Sequence, residues 1–364
     1  MKDLIKSLTE CFGPSGHESA VRALIQREIP KGWKTSTDAL GNLLARREDG
    51  GARAGSRAGA ASGGANAPPG GANAPPGGAN APSAGGGRRI MLAAHMDEIG
   101  IVVTHVDQKG FLRFGSVGGV LPLPLSGGRV QFAGGHTGVI GLERLEDASR
   151  IPPMDKFYID MGATSPADCP VRVGDVACFH RSYEDLGGRI VAKAMDDRIG
   201  CAVLLQVMKE LDRSPHDLWF VFTVQEEVGL RGAGTSGYGV QPEIALAVDV
   251  TLTGDTPECP PMAVSLGSGP AVKIKDGGML AHTGVKEWLL RTAEAASIPC
   301  QREVLVRGTT DASAIQVSRA GVPAGCISIP SRYTHSPSEM VDFGDVQGAV
   351  RLLLRVLAGP ADIG

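Results

Sequence analysis

Short apolar runs alternate along this chain with stretches whose apolar residues recur every three or four positions. The runs at 90–94, 218–224, 244–248, 303–306 and 325–329 predict strands, several of them apolar enough to be buried on both faces. Between them Ile199, Val203, Val207 and Leu211 recur at helical spacing, as do Val346, Val350, Leu353 and Leu354 near the end. Strands alternating with helices predict an α/β fold, a mostly parallel sheet carrying helices on both faces.

Two stretches break this rhythm. From 101 to 181 the pattern changes to short β-type segments (IGIVVTHV, FLRFGSV, RVQFAGG, HTGVIGLE, GDVACFH) punctuated by Gly and Pro, without a long helical repeat. They predict a small β domain inserted into an α/β domain made of 1–100 and 182–364. A lid, an oligomer contact and a purely structural role all stay open for it. From 51 to 88 the chain is almost entirely Gly, Ala, Pro, Ser, Asn and Arg, with GGANAPP repeated. Such a stretch buries too little apolar surface to offset its ordering entropy, which predicts a disordered surface loop. It separates a strand ending near Leu44 from RRIMLAAH, so it reads as an expanded connection inside the domain.

Composition narrows the function. At 364 residues, 42% hydrophobic and 21% charged with a formal net charge of -3, the chain has the balance of a globular protein, with nothing that favours nucleic acid or an anionic membrane surface. The seven cysteines are scattered, odd in number and never spaced C-x-x-C, which predicts reduced thiols in the cytoplasm. The opening MKDLIKSLTECFG places Asp3 and Lys6 where a signal peptide would be apolar, and no run of about 18 apolar residues predicts a membrane span.

The candidate chemistry lies at the ends of the predicted strands. His95 and Asp97 stand two apart at the end of one, so alternation places them on the same side, an imidazole for a metal and a carboxylate to fix its tautomer. In AKAMDDRIG, Asp196 and Asp197 precede a helix beginning near Arg198. An N-cap accounts for one of them and a cation bridged by the other accounts for the pair, although capping alone stays open. In LWFVFTVQEEVGLRGA a buried strand runs straight into Glu226 and Glu227, which repel unless a cation or a raised pKa relieves them. Division of labour follows: one binds metal and the other serves as general base toward water. Asp249 closes ALAVDV, and His335 follows GCISIP in SRYTHSPSE. Open α/β sheets place their ligand crevice at the carboxyl ends of their strands, where all five features fall.

One shared aspartate plus a histidine and a carboxylate per ion gives three protein ligands for each of two divalent metals, a pattern that leaves room for water. Nitrogen and carboxylate ligands without thiolate suit zinc, cobalt or manganese. Gly229, Gly232 and Gly234 match no phosphate-loop order, and Asp311 in RGTTDASAI reads as an N-cap and turn. His17, His105, His136, His180, His216 and His282 have no comparable acidic setting.

With AAHMDEIG, AMDDRIG, VQEEVGLRGA, AVDVT and YTHSPSE in order, nearly the whole chain resembles the M42 family of metallo-aminopeptidases. The resemblance implies that His95 and Glu227 hold one metal, that Asp249 and His335 hold the other, and that Asp196 bridges them. It further implies Glu226 as general base, Asp97 as the residue orienting His95, and a cis bond between Asp196 and Asp197. A β-rich lid and dimerisation domain at 101–181, short peptide substrates and a homo-oligomer of dimers assembling to a dodecamer follow from it as well. The loop 51–88 is the departure from the family pattern. Three rivals remain: a di-metal deacylase or carboxypeptidase of the M20 type, a glycoside hydrolase using paired carboxylates, which leaves both histidines unexplained, and a non-catalytic scaffold or metal store.

Overall fold

A computed structural model describes residues 1–47, 87–147 and 149–364. The expected loop at 51–88 lies outside the described residues except for Gly87 and Arg88.

A large sheet carries the predicted strands. At its centre Asp217–Thr223, Arg89–His95, Ile244–Thr251 and Ala324–Arg332 run parallel in that order. Alternation along each strand feeds two cores. Ile90, Leu92 and Ala94 pack with Ile199, Val203 and Val207 of the helix Met195–Glu210 and with Val346, Leu353 and Val356 of Phe343–Ala358. Met91 and Ala93 point to the opposite face, against Ala233 and Val240 of Arg231–Val240 and Ile315 of Asp311–Gln316. Helices therefore cover both faces.

The expected mostly parallel sheet is instead mixed. Leu43–Arg47 and Trp33–Thr37 add antiparallel strands on one side, and Glu339–Asp342, Arg189–Ala192 and Glu184–Asp185 do so on the other. Trp33–Thr37 and Leu43–Arg47 form a hairpin, which needs only a tight turn, whereas a parallel pair needs a crossover. The strand expected at 303–306 lies at Gln301–Val304, leaving Val306 81% exposed. Its buried anchor is polar: Glu303 is fully enclosed, pairs with Lys273 and accepts the Thr251 hydroxyl at 2.8 Å.

The β-type segments after Ile99 close into a barrel of six strands in the order Gly100–Val106, Leu112–Val117, Phe157–Asp160, Thr137–Leu142, Arg129–Phe132 and Val176–Phe179. Ile101, Leu112, Val130, Ile140, Ile159 and Phe179 fill its interior, a core separate from those of the sheet. Among the described residues no helix is long and apolar enough to cross a membrane, and all seven cysteines are free.

Candidate metal centre

Two histidines and four carboxylates converge where the central strands end. His95 is the last residue of its strand, Asp249 lies near the end of the neighbouring one, and Glu226 and Glu227 follow Thr223, which pairs with His95 across the sheet. His335 lies three residues beyond Ala324–Arg332. Asp196 stands at the start of Met195–Glu210, before the helical backbone is regular, and the Asp196–Asp197 peptide is cis, as the family resemblance implies.

Asp196 presents one oxygen to each histidine. Its Oδ1 lies 3.0 Å from His95 Nε2, and its Oδ2 lies 3.4 Å from His335 Nε2. Asp249 Oδ1 approaches His95 Nε2 at 4.0 Å, and Glu227 Oε2 approaches His335 Nε2 at 3.3 Å. Two groups result, His95 with Asp196 and Asp249, and Asp196 with Glu227 and His335, each with its ligand atoms within 4.8 Å of one another. The pairing implied by the resemblance, His95 with Glu227 and Asp249 with His335, is thereby exchanged. Both strands beside that of His95 are parallel to it, but Asp249 lies within its strand whereas Glu227 stands four residues past the end of its own, where His335 turns toward the barrel with its Nδ1 3.0 Å from the Gly119 carbonyl.

The electrostatics fit a cation. Burial raises the carboxyl pKa values of Glu226, Glu227 and Asp249 above the ordinary value, and neighbouring acids add to the rise. Burial opposes charge on the histidines too, but the surrounding carboxylates outweigh it. His95 is held well above its usual value, and His335 is pushed up to about 12. Glu227 Oε1 is buried with no hydrogen-bond partner among the described residues. An orphaned carboxylate oxygen in a nitrogen-and-oxygen donor set is what zinc, cobalt or manganese would complete.

The remaining acids have separate tasks. Asp97 faces His95 Nδ1 mainly through its main-chain carbonyl at 3.1 Å, its carboxylate standing 3.5 Å away. That carboxylate accepts the amides of Glu226 and Glu227 at 3.0 and 3.2 Å and the Ser15 hydroxyl at 2.6 Å. Asp197 accepts the Gly200 amide at 3.0 Å, capping the regular helix, and the His95 amide at 3.2 Å. The Glu226 carboxylate stands 3.8 Å from His95 Nε2 and accepts no hydrogen bond among the described residues, so it stays available. None of the six histidines set aside in the sequence enters this cluster. His216 is buried between the Arg88 amide and the Gly359 carbonyl, and the other five are exposed.

Asp311 corrects the sequence reading. Thr310 occupies the cap position of Asp311–Gln316, and the Asp311 side chain turns inward to accept the Thr223 hydroxyl. Burial pushes its carboxyl up to about 6, and Oδ1 has no hydrogen-bond partner among the described residues. The run Thr309, Thr310, Asp311 between a glycine and an apolar helix was the available signal, since Thr309 and Thr310 line the cleft in front of the metal ligands. That cleft has a volume of about 530 Å³, walled by Leu121, Leu230, Leu252 and Leu305 with Arg307 at its edge.

The profile of the M42 glutamyl aminopeptidase family matches residues 77–352. The chain belongs to the M42 family. A protein of Acetivibrio thermocellus is 41% identical over 98% of both chains. Among solved structures, an aminopeptidase of the archaeon Desulfurococcus kamchatkensis superposes with a TM-score of 0.86 at 39% identity, over 98% of this chain and 94% of that one. The TET1 peptidase of Pyrococcus horikoshii, described as assembling into a tetrahedron or a large octahedral shell, superposes with a TM-score of 0.80 at 30% identity over 98% of both. Membership makes this M42 chain an aminopeptidase, a hydrolase of peptide bonds in a metal-dependent family.

Proposed function

We propose that this M42 chain removes the N-terminal residue of short peptides at a two-metal centre, with Glu226 as the general base. The reading rests on Asp196, whose two oxygens face His95 and His335 and make it common to both ligand groups. Two divalent ions, held by His95, Asp196 and Asp249 and by Asp196, Glu227 and His335, would polarise the scissile carbonyl and acidify water.

Glu226 takes the proton of the attacking water and passes it to the leaving amine. Its burial and acidic neighbours raise its pKa, which suits a base that must also release the proton near neutral pH. Asp97 holds the backbone of Glu226 and Glu227 in place through their amides. The apolar walls of the cleft receive the side chain of the residue removed and exclude water from it.

Residues 1–100 and 182–364 form the catalytic unit in this reading, and 101–181 a lid and dimerisation unit that reaches the centre through Gly119. A cytoplasmic homo-oligomer of dimers building to a dodecamer is the expected assembly, supported by the TET relatives. The deciding experiment assays a panel of aminoacyl-anilides after dialysis and readdition of zinc, cobalt or manganese, beside N-blocked counterparts. Cleavage of free-amine substrates alone is expected, and preference for N-blocked ones would turn the reading to an M20-type deacylase. Turnover insensitive to chelators would revive the glycosidase alternative, and metal binding without cleavage of any peptide would favour a store.

A further inference from the structure

The segment YTHSPSE supplies more than His335. Its last residue, Glu339, is buried and opens the strand Glu339–Asp342, where it stands opposite Ala192. The next residue, Met340, pairs with Arg332 on the other side, so Glu339 is held between two strands. Its Oε1 accepts the His335 amide at 2.8 Å, and its Oε2 accepts the Asp196 amide at 2.9 Å. One carboxylate thus ties the backbones of two residues, from distant parts of the chain, whose side chains meet at 3.4 Å.

A buried carboxylate is costly unless charge-assisted hydrogen bonds compensate it, and here both acceptors are spent on backbone amides. His335 also needs restraint. Its φ of 62° lies in the left-handed region that side chains seldom adopt, and it sits in an irregular loop after the strand. Among the described residues, the Glu339 carboxylate is the group that hydrogen-bonds the His335 backbone to the start of the helix bearing Asp196.

We propose that Glu339 is a positioning residue: it sets the separation of the Asp196 carboxylate and the His335 imidazole, and so holds the group formed by Asp196, Glu227 and His335 ready for its ion. This rests on the two-metal reading. Removing hydrogen-bonding partners that orient metal ligands typically weakens binding about 10–100-fold.

The test titrates metal-stripped protein with Co2+ and follows the visible absorption of the bound ion. In wild type two equivalents are expected. In Glu339→Gln one amide faces a donor instead of an acceptor, and the second equivalent is expected to bind about 10–100-fold more weakly with an altered spectrum. Glu339→Asp keeps the charge but is one methylene too short to reach both amides, and the same loss is expected. Wild-type affinities and spectrum in either folded variant overturn the proposal. Should neither variant fold, amide hydrogen exchange of metal-free wild type decides: protected Asp196 and His335 amides support the clamp, and freely exchanging ones overturn it. A wild-type chain that binds no second cobalt overturns the two-metal reading and this inference together, whereas a normal variant beside a two-cobalt wild type overturns the inference alone.

Discussion

The Glu226 amide donates to the Asp97 carboxylate at 3.0 Å, and the Glu227 amide shares that carboxylate at 3.2 Å. Asp97 therefore places the proposed base and a proposed ligand together, at the turn where the strand has ended and no ladder partner is left. Replacing it by Asn leaves one of three donors, the two amides and the Ser15 hydroxyl, facing an NH2 group. Asp97→Asn is expected to weaken metal affinity about 10–100-fold and to lower kcat with it. Competition with a chelating indicator measures the first. Affinity within twofold of wild type would show that these amides need no carboxylate.

Glu226→Gln separates binding from chemistry. Glu226 belongs to neither group of ligand atoms, so the variant should keep both ions. A general base contributes about 100- to 10,000-fold, and kcat on an aminoacyl-anilide should fall by that order at full metal content. Near-normal turnover would remove Glu226 from the role.

How far the centre was legible follows from which partners are local. His95, Asp249 and the Glu226–Glu227 pair were readable because each ends an apolar run, and strand ends are where such sheets carry ligands. Asp311 and Glu339 were not, because the groups that give them meaning, the Thr223 hydroxyl and the Asp196 amide, lie far away in the chain. The ligand pairing failed for a similar reason: the strands leading to Asp249 and to Glu227 both flank that of His95, and it is the turn after Thr223 that places Glu227 beside His335 instead. Strand direction was hidden too. An apolar run reports burial on both faces, whereas the antiparallel hairpin comes from a turn in which Asp38 accepts the Leu40, Gly41 and Asn42 amides, each at 3.0 Å. That turn lies outside any apolar run.

Metal removal should make stability depend on pH in a definite direction. Glu227 and Asp249 have folded pKa values above their ordinary ones, so above about pH 4 the folded state retains protons that the unfolded chain has released. Stability then falls as pH rises. His335, pushed up to about 12, acts the same way: its contribution is full below the unfolded value of about 6.5 and is lost as pH rises toward 12. Asp97 and Asp196 are shifted down, so their contribution is lost only at more acid pH. Metal-stripped protein should therefore show a Tm that declines from pH 5 to pH 8, and saturating metal should raise the Tm most at the alkaline end. A flat or rising Tm in the stripped protein would contradict the site electrostatics.

Arg198, two residues after the proposed bridging aspartate and at the expected start of the helix, is fully buried. It donates to the carbonyls of Met96 at 2.5 Å, Leu8 at 2.7 Å, and Cys11 and Gly13 at 3.1 Å, and lies 3.3 Å from the Glu98 carboxylate. These bonds tie the N-terminal helix Lys2–Glu10 and the turn after it to the segment between His95 and Asp97. Arg198→Met fills much of the volume but strips the donors from four carbonyls, leaving Glu98 to Lys193 at 2.7 Å alone. Removing one member of a buried ion pair costs about 3–5 kcal/mol, and a loss of that size is expected from urea unfolding with an unchanged m-value. Arg198→Lys should recover little, because a single ammonium cannot reach carbonyls spread around a planar guanidinium. A loss below about 1 kcal/mol in the Met variant would mean that packing rather than these hydrogen bonds holds the N-terminal segment against the centre.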